Sequence, residues 1–388
     1  MDSPSEATVA AVSSVEVRPV RTQRERRVFL TFPWRVYAND PLWVPPLLSE
    51  RASTIDPARG VFWKRGEAEL FVAWKDGEAV GTICAAEDKA LNGHLGGREC
   101  IFGFFECVED TVVARALIDR AATWARARGL VTLGGPFNLD YEDSYGVLVE
   151  GRDRPPVILC GHTPVYYQGF LEDYGFVPLR GDNLAYEIPL SASSAALQRT
   201  ALMAERIRSK GWLKIRTPDL DRWQEEVDVV LELLNRSLAH LTDFRPYERE
   251  AVEAMVGPFR SIADADLILF VQVDGKTVGW FPGVPNMNEV LIHLNGLRYP
   301  WDMARALRWM RYRPRCLSIK SVLILPEYWG SGAALLLIDE MARRARAKGY
   351  AWADLSLTSA DNPYTPELAT RMGARIYKRY RVYGKRVA

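Results

Sequence analysis

The chain has 388 residues, 48% of them hydrophobic and 26% charged, a length and balance that suit two globular domains with cores of their own. Fifty basic side chains stand against forty-nine acidic ones, so there is no global field to attract a nucleic acid; five scattered cysteines without CxxC spacing argue against a disulfide framework and a zinc site. The opening MDSPSEATVAAVSS has no basic segment followed by an apolar core, and no run of about 18 apolar residues occurs anywhere. Residues 1–14 therefore read as a disordered leader on a soluble, cytoplasmic protein with no metal and with neither nucleic acid nor membrane as a partner.

In chain order, VEVRPV (15–20) reads as a short strand and residues 22–38 as helical segments. LFVAWKDGEAVG (70–81) reads as a hairpin whose Asp76-Gly77 pair marks a two-residue turn. LIDRAATWARARG (117–129) has helical spacing. These words return in the same order: LKIRTP (213–218), a helical stretch over 221–241, LFVQVDGKTVG (269–279) with Asp274-Gly275, and LIDEMARRARAKG (337–349). The displacement grows from 198–199 positions to 220, so the second copy carries about 22 extra residues between its hairpin and its last helix. Two related domains are expected, 15–190 and 212–388, with 191–211 as a linker that holds a helix capped by Ser193 or Ser194.

The second copy contains the more informative unit. SVLIL (321–325) is an apolar run suited to a central strand buried on both faces. Gly330 and Gly332 follow, then a helix with Ala334, Leu337, Ile338, Met341 and Ala345 on one face and Gly349 at its end. AWADLSLT (351–358) alternates and puts Trp352, Asp354 and Ser356 on one side of a strand. Strand, turn, helix and strand give an α/β pattern with a mixed sheet. A helix N-terminus offers unpaired amides and partial positive charge, and glycines let an anion approach them closely.

These residues resemble the core of the GNAT acyltransferases, whose turn pattern R/Q-x-x-G-x-G/A is met at its glycine positions by Trp329-Gly330-Ser331-Gly332-Ala333-Ala334 and departs from it at Trp329. The wider chain, through YANDPLWVPPLLSE, GPFNLDYEDSYGVLVEGRDRPPVIL and MGARIYKRYRVY, resembles bacterial tandem GNAT-like proteins. The resemblance implies two tandem GNAT-like acyl-CoA N-acyltransferase domains, with acetyl-CoA or another acyl-CoA as co-substrate held by Ile324, Leu325, Trp329, Gly330, Ser331, Gly332, Ala333, Ala334 and Asn362. The first copy has Glu109, Asp110, Thr111 and Val112 at the turn positions. Its carboxylates repel phosphate and its Val112 denies backbone approach, so a degenerate first domain is expected.

Acyl transfer to an amine needs a base for the nucleophile and an acid for the thiolate. The resemblance implies a tyrosine acid four positions before Gly373, where this chain has Ala369, so Tyr380, Tyr383 or water is the expected substitute. Asp354 is a base candidate on its strand's polar face. Glu289 and His293, four apart in the extra segment, are the others. The expected activity is acyl transfer, with acetyl as the expected group, to the amine of a small molecule or amino acid by direct attack in a ternary complex. The alternative is a non-catalytic acyl-CoA or metabolite binder.

Overall fold

The structure, a computed structural model, describes residues 14–139, 146–191, 194–240, 244, 246–257, 260, 264–309 and 311–388; residues 1–13 of the expected leader lie outside them. The first half supplies strands β1 (Glu16–Pro19), β2 (Gly66–Lys75), β3 (Glu78–Asp88), β4 (Glu99–Cys107), β5 (Thr132–Gly135), β6 (Val147–Glu150), β7 (Val177–Pro178) and β8 (Asn183–Pro189). The second supplies β9 (Leu213–Arg216), β10 (Ile268–Val273), β11 (Lys276–Pro285), β12 (Cys316–Ile319), β13 (Leu323–Ile324), β14 (Trp352–Ser359), β15 (Arg375–Arg381) and β16 (Tyr383–Arg386). Both hairpins turn where the sequence puts Asp-Gly: Asp76 and Gly77 have φ of 52° and 81°, Asp274 and Gly275 of 46° and 81°. Positive φ at both central residues is the geometry whose twist matches the flanking strands.

The strands form two mixed sheets, ordered β1-β2-β3-β4-β5-β16-β7 and β6-β15-β8-β14-β12-β11-β10-β9, with β13 joined to β11. Each half gives its last strand to the other. β16 enters the first sheet between β5 and β7, and β8 enters the second between β14 and β15. A single residue, the buried Val382, carries the chain from one sheet to the other between β15 and β16. The contiguous segments 15–190 and 212–388 thus describe the repeat but do not partition the sheets. Repeated words mark related segments; the sheet that accepts a terminal strand is set by pairing register, which a single sequence does not display.

Long helices pack on both sheets, and Trp223–Ser237 is a further one on the second. In the first, Thr111–Arg126 buries Val113, Leu117, Ile118 and Ala121; in the second, Ala333–Ala347 buries Leu336, Leu337, Met341 and Ala345, the i, i+4 spacing that makes one apolar stripe. Across the linker runs the helix Ala195–Arg208, capped by Ser194, whose hydroxyl accepts from the Leu197 amide. Among the described residues the parallel central strand of the second sheet is 316–319 rather than 321–325, and only Leu323 and Ile324 of SVLIL pair, with β11 alone. Lys320 ends the apolar strand and directs the chain away from β14.

Candidate active site

β12 and β14 run parallel from Cys316 opposite Trp352 to Ile319 opposite Leu355. Beyond that point they part: 323–324 follow β11, while β14 stays with β8 as far as Ser359. The gap opens into a mostly apolar cleft of about 1900 Å³ that reaches both halves of the molecule, with Ser321, Val322 and Leu323 on one lip and Leu357, Thr358 and Asn362 on the other. The same parting in the first sheet, after Ile101 opposite Gly134, is filled by its own chain. There Phe137 donates its amide to the Phe102 carbonyl at 2.8 Å, and the Asn138 side chain accepts from the Phe104 amide at 2.8 Å. A Cβ on Gly103 would collide with the Phe137 carbonyl, so glycine is what lets this plug seat.

The glycine turn has the expected backbone. Gly330 and Gly332 have φ of 77° and 91°, conformations glycine adopts without strain. Gly330 is exposed with no neighbour near its Cα hydrogens, whereas a Cβ at Gly332 would collide with Ile207 of the linker helix. The Ser331 hydroxyl accepts from the Ala333 amide at 3.2 Å. Among the described residues the amides of Gly330, Gly332, Ala334 and Leu335 have no recorded acceptor, which leaves four donors at a helix N-terminus. At the matching place in the first copy, Asp110 caps the helix Thr111–Arg126 with its own carboxylate and pairs with Lys75 at 3.0 Å. None of residues 329–334 lines the cleft, so the turn lies outside the opening.

Trp329, where the pattern has Arg or Gln, donates its indole N–H to the Ile324 carbonyl at 2.9 Å and meets the rings of His240 and Tyr364. Ile324 and Leu325 therefore offer little to a ligand: the Ile324 carbonyl is taken, and the Leu325 amide donates to Val278 at 2.9 Å with its side chain fully buried. Asn362 accepts from the amides of Tyr364 and Thr365 at 2.9 and 3.0 Å, which starts the helix Thr365–Arg371.

Where the strands part lies a polar cluster. Asp354, fully buried, accepts from Ser318 (2.9 Å), Ser356 (2.6 Å), Lys320 (3.2 Å) and Tyr377 (2.7 Å). Three of these donors meet Oδ2 and one meets Oδ1, which makes the carboxylate the pin of the cluster. Lys320 also donates to Ser356 at 2.9 Å and sits 4.0 Å from the Cys160 sulfur, itself 3.3 Å from Ser356. Burial lowers the Lys320 pKa, but the Cys160 sulfur where it is ionised and the Asp354 carboxylate outweigh it and leave Lys320 raised, hence protonated near neutrality. Burial pushes the Cys160 thiol up, so it is not a ready nucleophile. Cys160, Lys320, Ser321, Ser356 and Leu357 line both the cleft and a second, apolar chamber of about 210 Å³ walled by Trp223, Val227, Val230, Phe270 and Trp280. The cluster is thus a junction between two spaces.

Two residues past Cys160, His162 lines the cleft. Its Nε2 lies 2.7 Å from an Asp40 carboxylate oxygen, which fixes the proton on Nε2 and leaves Nδ1 as an acceptor, buried and without a partner. Burial lowers the His162 pKa below its ordinary 6.5 against the pull of Asp40, with Lys378 and Arg152 adding to the lowering. Glu106 also lines the cleft, with its carboxyl pushed up to about 7 by burial, but it accepts from the Tyr167 hydroxyl at 2.7 Å.

The other expected catalytic residues are engaged elsewhere. Glu289 accepts from the amides of Arg315 and Cys316, both at 2.9 Å, and from Tyr312 at 3.0 Å, tying down the start of β12. His293 stacks on Trp309 at 3.8 Å. Tyr383 sits on β16 in the first sheet, its hydroxyl donating to Glu172 at 2.8 Å, and the strand exchange removes it from the cleft. Tyr380 remains near the cluster, fully buried with its hydroxyl beside Cys160, and burial raises its pKa well above ordinary. Cys160, His162 and Lys320 were not among the residues expected from sequence. Lys320 had a signal, a cation interrupting an apolar run; His162 and Cys160 had none, because they lie outside the repeated words. Among the described residues no cluster of metal-ligating side chains occurs.

Residues 230–374 match the acetyltransferase (GNAT) family model. The chain is 29% identical over 389 residues to a protein of Caulobacter vibrioides described as a bacterial ceramide synthase, covering 96% of this chain and 98% of that one. It is 28% identical over 383 residues to protein YghO of Escherichia coli, covering 96% and 95%. Among solved structures, a tandem GNAT protein from the clavulanic acid biosynthesis pathway superposes with a TM-score of 0.55 at 13% identity, over 97% of this chain and 99% of that one.

Proposed function

From a chain built of two tandem GNAT-like domains, we propose an acyl-CoA-dependent N-acyltransferase that joins a long acyl chain to the amine of an amphiphilic acceptor. The observation that carries this reading is the junction, where one set of polar residues lines both a large cleft and an apolar chamber. Acetyl transfer to a small acceptor, expected from the sequence, leaves that apolar space unused: a methyl group displaces about one water's share of volume, roughly 30 Å³. The name of the Caulobacter relative supports the same substrate class, since a ceramide is an N-acylated long-chain amine.

In this reading the acyl-CoA diphosphate rests on the free amides from Gly330 to Leu335, and its thioester arm passes between the parted strands toward Lys320. The acceptor enters as the neutral amine, and as its nitrogen attacks the thioester carbonyl His162 Nδ1 takes the proton that the nitrogen gives up. The Lys320 ammonium, held by Asp354, faces the developing oxyanion. Such a preorganised cation in a water-poor site stabilises charge far better than water does. The C–N bond forms as the C–S bond breaks, and the thiolate leaves with the proton that His162 returns.

Two measurements test the reading. Thiol release is followed with acyl-CoAs from acetyl to hexadecanoyl and a long-chain amino alcohol as acceptor. Each buried methylene contributes about 0.8 kcal/mol, so kcat/KM should climb roughly tenfold for every two carbons until the chamber is full. A maximum at acetyl refutes the chain-length assignment, and no thiol release with any donor refutes the transferase in favour of a binder. Separately, Gly330→Ala meets open space but must hold positive φ, at a cost of about 1–2 kcal/mol, whereas Gly332→Val adds the collision with Ile207. Calorimetry should find acyl-CoA binding weakened modestly by the first and abolished by the second; equal binding by both would dismiss the turn as the phosphate site.

A further inference from the structure

The second copy departs from the first most between its hairpin and its parallel strand: β3 and β4 are joined by residues 89–98, β11 and β12 by residues 286–315. This longer connection begins in the cleft wall, where Met287, Asn288 and Leu291 line the opening. It is held firmly. Glu289 binds the amides at its far end, Asn295 accepts from the Trp34 indole at 2.8 Å, and Arg298 lies 4.5 Å over the Trp34 ring. Asp302, fully buried, accepts from the Tyr299 amide at 3.1 Å and from Asn295 at 3.3 Å.

What this frame presents is the helix Asp302–Trp309, with Trp301, Met303 and Leu307 exposed at 62%, 55% and 68%. Large apolar side chains held in water on a rigid frame mark a surface that another phase covers. The charge around them is one-sided. Residues 298–315 contain six arginines and one acid, and that acid, Asp302, is buried. Arg305 reaches Asp302 at 3.2 Å, but Arg308, Arg311, Arg313 and Arg315 are exposed and make no ion pair among the described residues. In a chain of net charge +1 such a local excess is not compositional.

We propose that the segment 298–315 docks the protein on an anionic phospholipid bilayer, Trp301, Met303 and Leu307 entering the headgroup boundary and the unpaired arginines meeting lipid phosphates. A short amphipathic helix with a basic flank binds interfaces by these two contributions together, and neither alone suffices. Among the described residues no helix is long and apolar enough to cross a membrane, so the contact is peripheral. The balanced composition, which argues against a membrane partner, averages this patch away. Because the connection starts in the cleft wall, docking sets the opening beside the phase where an amphiphilic acceptor is dissolved.

The full chain, without acyl-CoA, is sedimented with vesicles of phosphatidylcholine alone and of equal parts phosphatidylcholine and phosphatidylglycerol. Wild type should bind the anionic vesicles at least tenfold more tightly than the neutral ones, and high salt should remove most of that difference. Leu307→Glu and the pair Arg308→Glu with Arg311→Glu each alter only exposed side chains, so both should keep the wild-type unfolding midpoint and lose at least tenfold in vesicle binding. Binding by the variants equal to wild type, or no binding by wild type, overturns the proposal. A wild-type dimer in vesicle-free solution that Leu307→Glu converts to monomer also overturns it, by assigning the face to a second copy. Vesicle binding requires no turnover, so its failure leaves the transferase reading standing, and the reverse.

Discussion

His162→Gln is expected to lower kcat/KM by about 10²–10⁴-fold while leaving acyl-CoA binding unchanged, the usual contribution of a positioned general base. Glutamine keeps a polar group for Asp40 to hold but offers no nitrogen that can take a proton. The pH dependence carries more weight than the magnitude. A base must be unprotonated to act, so activity falls as pH drops through its pKa. For His162 that pKa lies below 6.5, because burial disfavours the imidazolium more than Asp40 favours it. The limb of kcat/KM set by His162 should therefore sit below pH 6.5 and vanish in the variant, while the rise toward alkaline pH that follows deprotonation of the acceptor amine persists. Were Glu106 the base, its carboxyl at about 7 would place the limb near neutrality, and Glu106→Gln rather than His162→Gln would abolish it. Asp40→Asn serves as a check on positioning. It should weaken the rate less than His162→Gln and move the limb further down, since the carboxylate is the group that raises the imidazole pKa.

Local signals in the sequence located the elements well. The Asp-Gly pairs turn where they stand, the helix Ala333–Ala347 buries the stripe its spacing marks, and Gly330 and Gly332 take the positive φ that the turn needs. Each of these depends on a few adjacent residues. What was not legible depends on pairing between distant segments. SVLIL reads as a central strand by hydrophobicity, yet centrality belongs to CLSI at 316–319, because only that stretch finds a partner on each side. Tyr383 reads as a neighbour of Tyr380, three positions away, but the chain changes sheets at Val382. The first half also places β6 beside β15, and the loop after β6 brings Cys160 within 3.3 Å of Ser356 across 196 positions. Glu289 and His293 suggest chemistry by their spacing of four, whereas one holds amides and the other stacks on Trp309. A titratable pair on a helix says nothing about what faces it.

Asp354→Ala is expected to destabilise the second half of the molecule by about 3–5 kcal/mol, the usual consequence of removing one member of a buried ion pair. The carboxylate is fully buried and receives four donors, from Ser318, Lys320, Ser356 and Tyr377. Its loss strands the Tyr377 and Ser318 hydroxyls and leaves the Lys320 ammonium, only 18% exposed, without its counter-charge. Lys320→Met on the same background removes the stranded charge. The double variant should therefore be more stable than Asp354→Ala alone, a coupling that two independent packing defects would not show. Urea unfolding of the four proteins in the cycle measures this directly. If Asp354→Ala costs under about 1 kcal/mol, or the double variant is simply the sum of the singles, the carboxylate is not what fixes Lys320. Restored stability should not restore turnover, because methionine supplies no charge for an oxyanion. That separation distinguishes a cation that merely completes the fold from one that faces the reacting carbonyl.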